Sequence, residues 1–200
     1  MSTKEKILDA AMSLFAKNGY DGTSVEQIAE LVGIKAPSLY KHFKGKEDIL
    51  NALIDIAEER YKDNFGSENH IGKIPDSIEE FIQSSIHRTA FTLSDPMIRN
   101  IRIFLVKEQF RNERIASINT RHQIYGPKMM YTKIVAGMIE KGLFEDHDPE
   151  LMAMEFISPV SLLISRTDRE PEYEKEALIM IEKHLNHLCD LYRKDHDDGK

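Results

Sequence analysis

From Thr3 to Lys194 the apolar residues return at three- and four-residue intervals, and no stretch alternates apolar with polar side chains as a half-buried strand would. That spacing gives each segment one apolar stripe, which only packing against other helices can cover. Gly and Pro fall mostly between the periodic segments, where they mark helix ends. The first helix is expected from about Thr3 to Asn18-Gly19, with Ile7, Leu8, Ala11, Leu14 and Phe15 as its stripe. Ser24 and Gln27 have capping-box spacing and open a short helix that Gly33 ends. Ala36-Pro37 begins a third helix, since Pro is tolerated in a first turn, and this helix ends near Phe43. A long fourth, roughly Lys46 to Asn64, turns Ile49, Leu50, Leu53, Ile54 and Ala57 inward.

Five more helices are expected, at about 76–93, 97–109, 113–141, 149–165 and 173–194. Gly126-Pro127 should kink the third of these and Pro159 bend the fourth. The fold class is therefore all-α, with about nine helices. The polar stretch Gly66 to Pro75 is the expected domain boundary. It separates an N-terminal head (residues 1–46) and a connecting helix (47–65) from a C-terminal body (75–195).

Two hundred residues, 41% apolar and 30% charged, suffice for a buried core and read as a globular chain. No apolar run approaches the roughly 20 residues of a membrane span, so no membrane partner is expected. The N-terminal residues lead straight into an amphipathic pattern unlike a signal peptide, and the single cysteine, Cys189, suits a reducing cytoplasm. A net charge of −7 argues mildly against a surface coated by nucleic acid, yet a DNA reader can be acidic overall if its cations share one face.

Such a face exists between Thr23 and Lys46. Two short helices joined at Gly33-Ile34-Lys35 form a helix-turn-helix, whose second helix can enter a major groove. Lys35, Lys41, Lys44 and Lys46 fall within twelve residues that hold no Asp or Glu. Ser38, Tyr40 and His42 add groups able to bond phosphate oxygens or base edges. Leu39 and Phe43, four apart, face inward as anchors.

Phe15, Gly19-Tyr20, Thr23-Ser24-Val25, Ile28-Ala29, Gly33-Ile34, Leu39-Tyr40-Lys41-His42-Phe43 and Lys46 stand in the order and spacing of the TetR/AcrR repressor signature, which the first 60 or so residues resemble. The resemblance implies a three-helix DNA-binding head, a fourth helix joining it to an all-α regulatory body, and dimerisation through the last two helices. It implies that Tyr40, His42 and Lys46 contact the DNA backbone, and that Lys35, Ala36, Pro37, Ser38 and Lys41 face the groove. Ser24, heading the first of the two helices, joins that DNA-facing set. Lys35 stands where the family has a Ser/Thr cap and Pro37 where it has a small residue, so operator contacts at these two positions do not carry over.

The body's sequence is less specific. Ile115, Ile118, His122, Tyr125, Met129 and Val135 recur along one helix, and His122 on that seam either bonds a ligand or is a core histidine. Phe81, Phe91, Phe104, Phe110, Met129, Met130 and Met138 either line an apolar pocket or form plain core. Glu108 either meets a cationic ligand or pairs with Arg102 or Arg121. The candidate ligand set is thus Phe81, Phe104, Glu108, His122, Tyr125 and Met129, and an apolar or amphipathic small-molecule effector suits it. Control by a protein partner is the alternative. His147 and His196, each set among acids, read as loop and tail rather than metal ligands, and no cofactor is expected. No nucleophile–base pair or phosphate-binding glycine loop occurs, so the expectation is not an enzyme. Leu178, Ile181, Leu185, Leu188 and Tyr192, widened by Ile179 and Leu191, exceed one core face, as do Leu151, Met154, Ile157, Leu162 and Ile164. A homodimer through the helices at 149–165 and 173–194 would cover both. The reading that follows is a repressor on a palindromic double-stranded operator.

Overall fold

The computed structural model describes residues 1–67, 70–71 and 73–194. Within them run α1 (Thr3–Asn18), α2 (Val25–Val32), α3 (Ala36–Leu39), α4 (Lys46–Phe65), β1 (Gly66–Ser67), β2 (His70–Ile71), α5 (Ile78–Ser94), α6 (Pro96–Glu108), α7 (Glu113–Thr120), α8 (Gly126–Glu140), α9 (Pro149–Thr167) and α10 (Glu174–Tyr192). A π-helical turn, Arg121–Tyr125, stands between α7 and α8, and a 3-10 turn, Pro171–Tyr173, precedes α10. The architecture is all-α, apart from the two-residue antiparallel pairing of β1 with β2 in the boundary stretch. Among the described residues no helix is long and apolar enough to cross a membrane. His196 and its acidic neighbours lie outside them.

The chain forms two compact units, residues 1–64 with 96–119 and residues 65–95 with 120–200. In the first, α1 begins on a complete capping box: Ser2 accepts from the Glu5 N–H while Glu5 accepts from the Ser2 N–H. Its stripe buries Ile7, Leu8, Ala11, Met12 and Phe15. Phe15 stacks on Phe104 of α6, ring centroids 5.5 Å apart, and Lys107 donates to the Ala16 carbonyl at 3.0 Å. Segment 96–119 therefore packs with the N-terminal helices, a grouping that reading along the chain does not reveal.

In the second unit Phe81 lies edge-on to Tyr131, Phe144 and Phe156, inside a core completed by Val135, Met138, Met152, Ile181, Leu185 and Cys189. Burial pushes the Cys189 thiol up to about 12, so it stays protonated and inert. The end of α10 is tied in here too: the Glu145 N–H donates to the Tyr192 carbonyl at 2.8 Å and the Lys194 N–H to the Leu143 carbonyl at 3.2 Å.

Two of the prolines in the second unit leave readable consequences. Pro127 has no N–H to return to the preceding turn, and the chain widens just before it, where the Gly126 N–H reaches back five residues to Arg121. The widened turn rotates the apolar stripe. Tyr131, Ile134, Val135 and Met138 face the core, while Tyr125 is 64% exposed and Met129 is exposed as well. The expected straight seam through His122, Tyr125 and Met129 is thus broken at the π turn. Phe110, expected with the pocket or core residues, is 91% exposed just beyond α6.

Pro159, within α9, cannot donate to the Glu155 carbonyl one turn back. His184 of α10 supplies the missing donor, its Nε2 lying 3.1 Å from the Glu155 oxygen and 3.2 Å from that of Phe156. Two carbonyl partners require that Nε2 carry the proton. His184→Phe should therefore cost roughly 1–2 kcal/mol of unfolding free energy, and His184→Gln, which keeps a donor, should recover part of it. Urea titration followed by circular dichroism checks both.

Candidate nucleic-acid interface

The segment that faces outward is built from short local bonds over two buried anchors. Ser24 caps α2 reciprocally: its hydroxyl accepts from the Gln27 N–H at 3.2 Å, and its own N–H donates to Gln27 Oε1 at 2.8 Å. Gly33 then takes φ +77°, the left-handed conformation that costs glycine little, and the Ile34 N–H returns to the Ala29 carbonyl at 2.9 Å. Lys35 stands at the N-cap of α3 without a side-chain cap bond, and Pro37 falls in its first turn. Only Ala36–Leu39 is regular helix. The chain closes with the N–H groups of His42 and Phe43 both returning to the Leu39 carbonyl, at 2.8 and 3.1 Å.

Leu39 and Phe43 are buried, as the four-residue spacing requires. Lys35, Pro37, Tyr40, Lys41, His42 and Lys44 are exposed, Tyr40 to 51%, while Ala36 and Ser38 are half-buried between them. This brings most of the expected DNA-facing residues onto one open surface. Lys4, 39 residues from Phe43 in sequence, lies 5.5 Å over that ring and adds a cation near the end of the segment. No spacing rule would have paired those two residues. The nearest acids are engaged: Asp48 accepts from the Lys44 N–H at 3.0 Å, and Glu47 is ion-paired with Arg114 of α7, which also bonds Asn51.

Two members of the expected DNA-facing set differ from the rest. Ser24 is occupied as an N-cap. Lys46 is half-buried, its Nζ donating to the carbonyls of Tyr20 at 2.6 Å and Thr23 at 2.9 Å and lying 4.3 Å over the Tyr20 ring. Burial first, then the charge of Glu47, raises the Tyr20 phenol above its ordinary pKa, so its ring stays neutral.

The candidate ligand residues are divided between the units. Phe104 is core of the first, against Phe15. Glu108 is buried in the same unit beneath Gly19, where an added Cβ would come 2.7 Å from its Oε1. Phe81, His122, Tyr125 and Met129 belong to the second, with Phe81 in its core, His122 half-buried in the π turn, and the other two exposed.

A helix-turn-helix with an open, basic, acid-free second segment defines a DNA-binding transcriptional regulator. The family model described as "Bacterial regulatory proteins, tetR family" matches residues 7–53. The biofilm operon icaADBC negative transcriptional regulator IcaR of Staphylococcus epidermidis is 28% identical over 54% of this chain and 76% of its own length. IcaR of Staphylococcus aureus strain Newman is 52% identical, over 23% of this chain and 25% of its own. SmeT, the repressor of the Stenotrophomonas maltophilia multidrug efflux pump SmeDEF, shares the fold at TM-score 0.70 and 21% identity, covering 98% of this chain and 93% of that one. A SmeT–triclosan complex has also been solved, at TM-score 0.68 and 22% identity to this chain. Residues 7–53 thus carry the DNA-binding part of a tetR-family regulator.

The exposed surface predicts two kinds of loss. Lys44→Ala should weaken binding to every duplex and lower the salt slope by about 0.9, as removal of one phosphate contact does. Lys41→Ala, on the face expected to meet the groove, should cost about 1–3 kcal/mol and relax preference at one base position. Anisotropy titrations at several salt concentrations, on a duplex selected by the wild-type protein from a random pool, distinguish them.

Proposed function

We propose that the protein is a repressor that binds a palindromic operator as a homodimer and is released by a small apolar or amphipathic effector. The observation that carries this reading is the open face of Lys35, Pro37, Tyr40, Lys41 and His42 over the buried anchors Leu39 and Phe43. Lys35, Ala36, Pro37, Ser38 and Lys41 face the groove, while Tyr40 and His42 steady the backbone. Two such segments, one per subunit, enter successive major grooves about one helical turn apart.

The dimer is supported by the apolar residues that α9 and α10 leave exposed: Leu151, Met154 and Leu162 on one, Ile179, Met180 and Leu191 on the other. A second copy presenting the same face would cover them, as isologous interfaces do. Of the candidate effector residues, Phe81, His122, Tyr125 and Met129 share the second unit and form the effector set proposed here, with Phe81 and Met129 suited to apolar ligand surface. An effector acts by binding the DNA-free conformation more tightly, which lowers operator affinity by about 1–3 kcal/mol. The site of action is the cytoplasm, where Cys189 stays reduced.

DNase footprinting on the DNA flanking the protein's own gene, in physiological salt, should give a protected palindrome. Absence of protection there and on selected DNA would overturn the reading. Light scattering should give a dimer for the wild type and monomer for Leu162→Glu, with operator affinity lost in step.

A further inference from the structure

The second unit keeps a polar cluster inside its core. On α5, Ser85 is 3% exposed and Thr89 is 5% exposed, and Arg88 stands half-buried between them. Tyr131 of α8 is buried too, its ring edge-on to Phe81 with centroids 6.0 Å apart. Burial raises the Tyr131 phenol above its ordinary pKa, while the Ser85 hydroxyl and the Arg88 charge pull the other way, which puts both beside the phenol. Phe81, Ser85 and Arg88 follow one another at about one turn along α5, so they share a face of that helix.

Some polar groups here serve the helix itself. The Thr89 hydroxyl donates to the Ser85 carbonyl and the Thr92 hydroxyl to the Arg88 carbonyl, each at 2.9 Å. Arg88 thus takes part in the fold through its backbone and its charge. Its Nε and Nη1, however, are enclosed, and among the described residues no acceptor meets these two atoms. Enclosed polar atoms are ordinarily hydrogen-bonded, and the exceptions mark places where a water, an ion or a ligand group belongs. A donor cut off from water costs its desolvation, and an anion brought to it offsets that cost with a charge-assisted bond.

The charge narrows the anion. A guanidinium is a planar fork with a single positive charge, which a carboxylate matches in shape and in sign. A phosphate monoester would bring nearly two negative charges to that one cation. The surroundings are otherwise apolar: Ile86 and Met130, next in sequence to Ser85 and Tyr131, pack on the same core as Phe81 and Ile82. An apolar tail on the carboxylate meets surface of its own kind.

We propose that Arg88, with the hydroxyls of Ser85 and Tyr131, binds the carboxylate of an amphipathic organic acid. This names the chemical class of the effector; its consequence for DNA rests on the reading of the chain as an effector-released repressor, whereas binding itself is tested without DNA. Calorimetric titration of the full-length protein with octanoate, dodecanoate and phenylacetate, each against its neutral alcohol, gives the first result. At least one acid should bind about tenfold more tightly than its alcohol, the range that bonds to a charged group supply, and Arg88→Met should abolish that preference. Alcohols binding as tightly as acids, a preference retained in Arg88→Met, or binding of no acid overturns the proposal.

Should Arg88→Met unfold, phenylglyoxal labelling of the wild type, read by peptide mass spectrometry, decides. An acid at ten times its Kd should slow labelling of Arg88 about tenfold, and labelling at an unchanged rate overturns the proposal. The bound acid should also lower affinity for a duplex selected by the wild-type protein about tenfold. Binding at Arg88 without that loss upholds the site and overturns release by an effector instead.

Discussion

A recognition helix of four residues has no stability of its own. Nucleating a helix fixes several residues for its first hydrogen bond, and isolated segments far longer than Ala36–Leu39 are marginal in water. Here the geometry exists because Leu39 and Phe43 are buried within the first unit, and because Pro37 starts the turn with its φ already set. The exposed basic face depends on those two anchors. They leave Lys35, Tyr40, Lys41 and His42 outward by default, since the helical period that buries one side of a turn exposes the other.

A recurring device does the rest of the positioning. Long cationic or imidazole side chains reach across the fold to main-chain carbonyls: Lys46 to Tyr20 and Thr23, Lys107 to Ala16, His184 to Glu155 and Phe156, and Lys141 to Ile74 and Pro75. Most of these carbonyls lie where a helix has ended, where a proline cannot donate, or in a connecting segment. Left unmet they would cost more than the bond itself contributes. Asp76 joins the Lys141 group, and the hydrogen bonds from Lys141 and then Lys73 hold its carboxyl down at about 2.

The body shows how a proline acts on exposed surface without touching it. Pro127 forces the widened turn that leaves Tyr125 and Met129 outward while the following helix fills the core. Pro159 opens α9 at a point that His184 closes, and the helix still presents Leu151 and Leu162 to solvent. Exposed apolar surface of this kind is what an oligomer covers.

The sequence by itself determined the helices and their ends, because periodicity and caps are local: each depends on residues within one or two turns, as with Ser24 and Gln27 or Gly33. It also determined the basic, acid-free run and the outward face of the segment that carries it, since Leu39 and Phe43 lie one turn apart. The tertiary structure alone decided what Lys46 grips, that Lys4 lies over Phe43, that 96–119 packs with the N-terminal helices, and that Glu108 lies beneath Gly19. The physical reason is that the acceptors in most of the long-range bonds are backbone oxygens. Every residue carries one, so no side chain in the sequence announces the partner; only the path of the chain brings it within 3 Å of a donor.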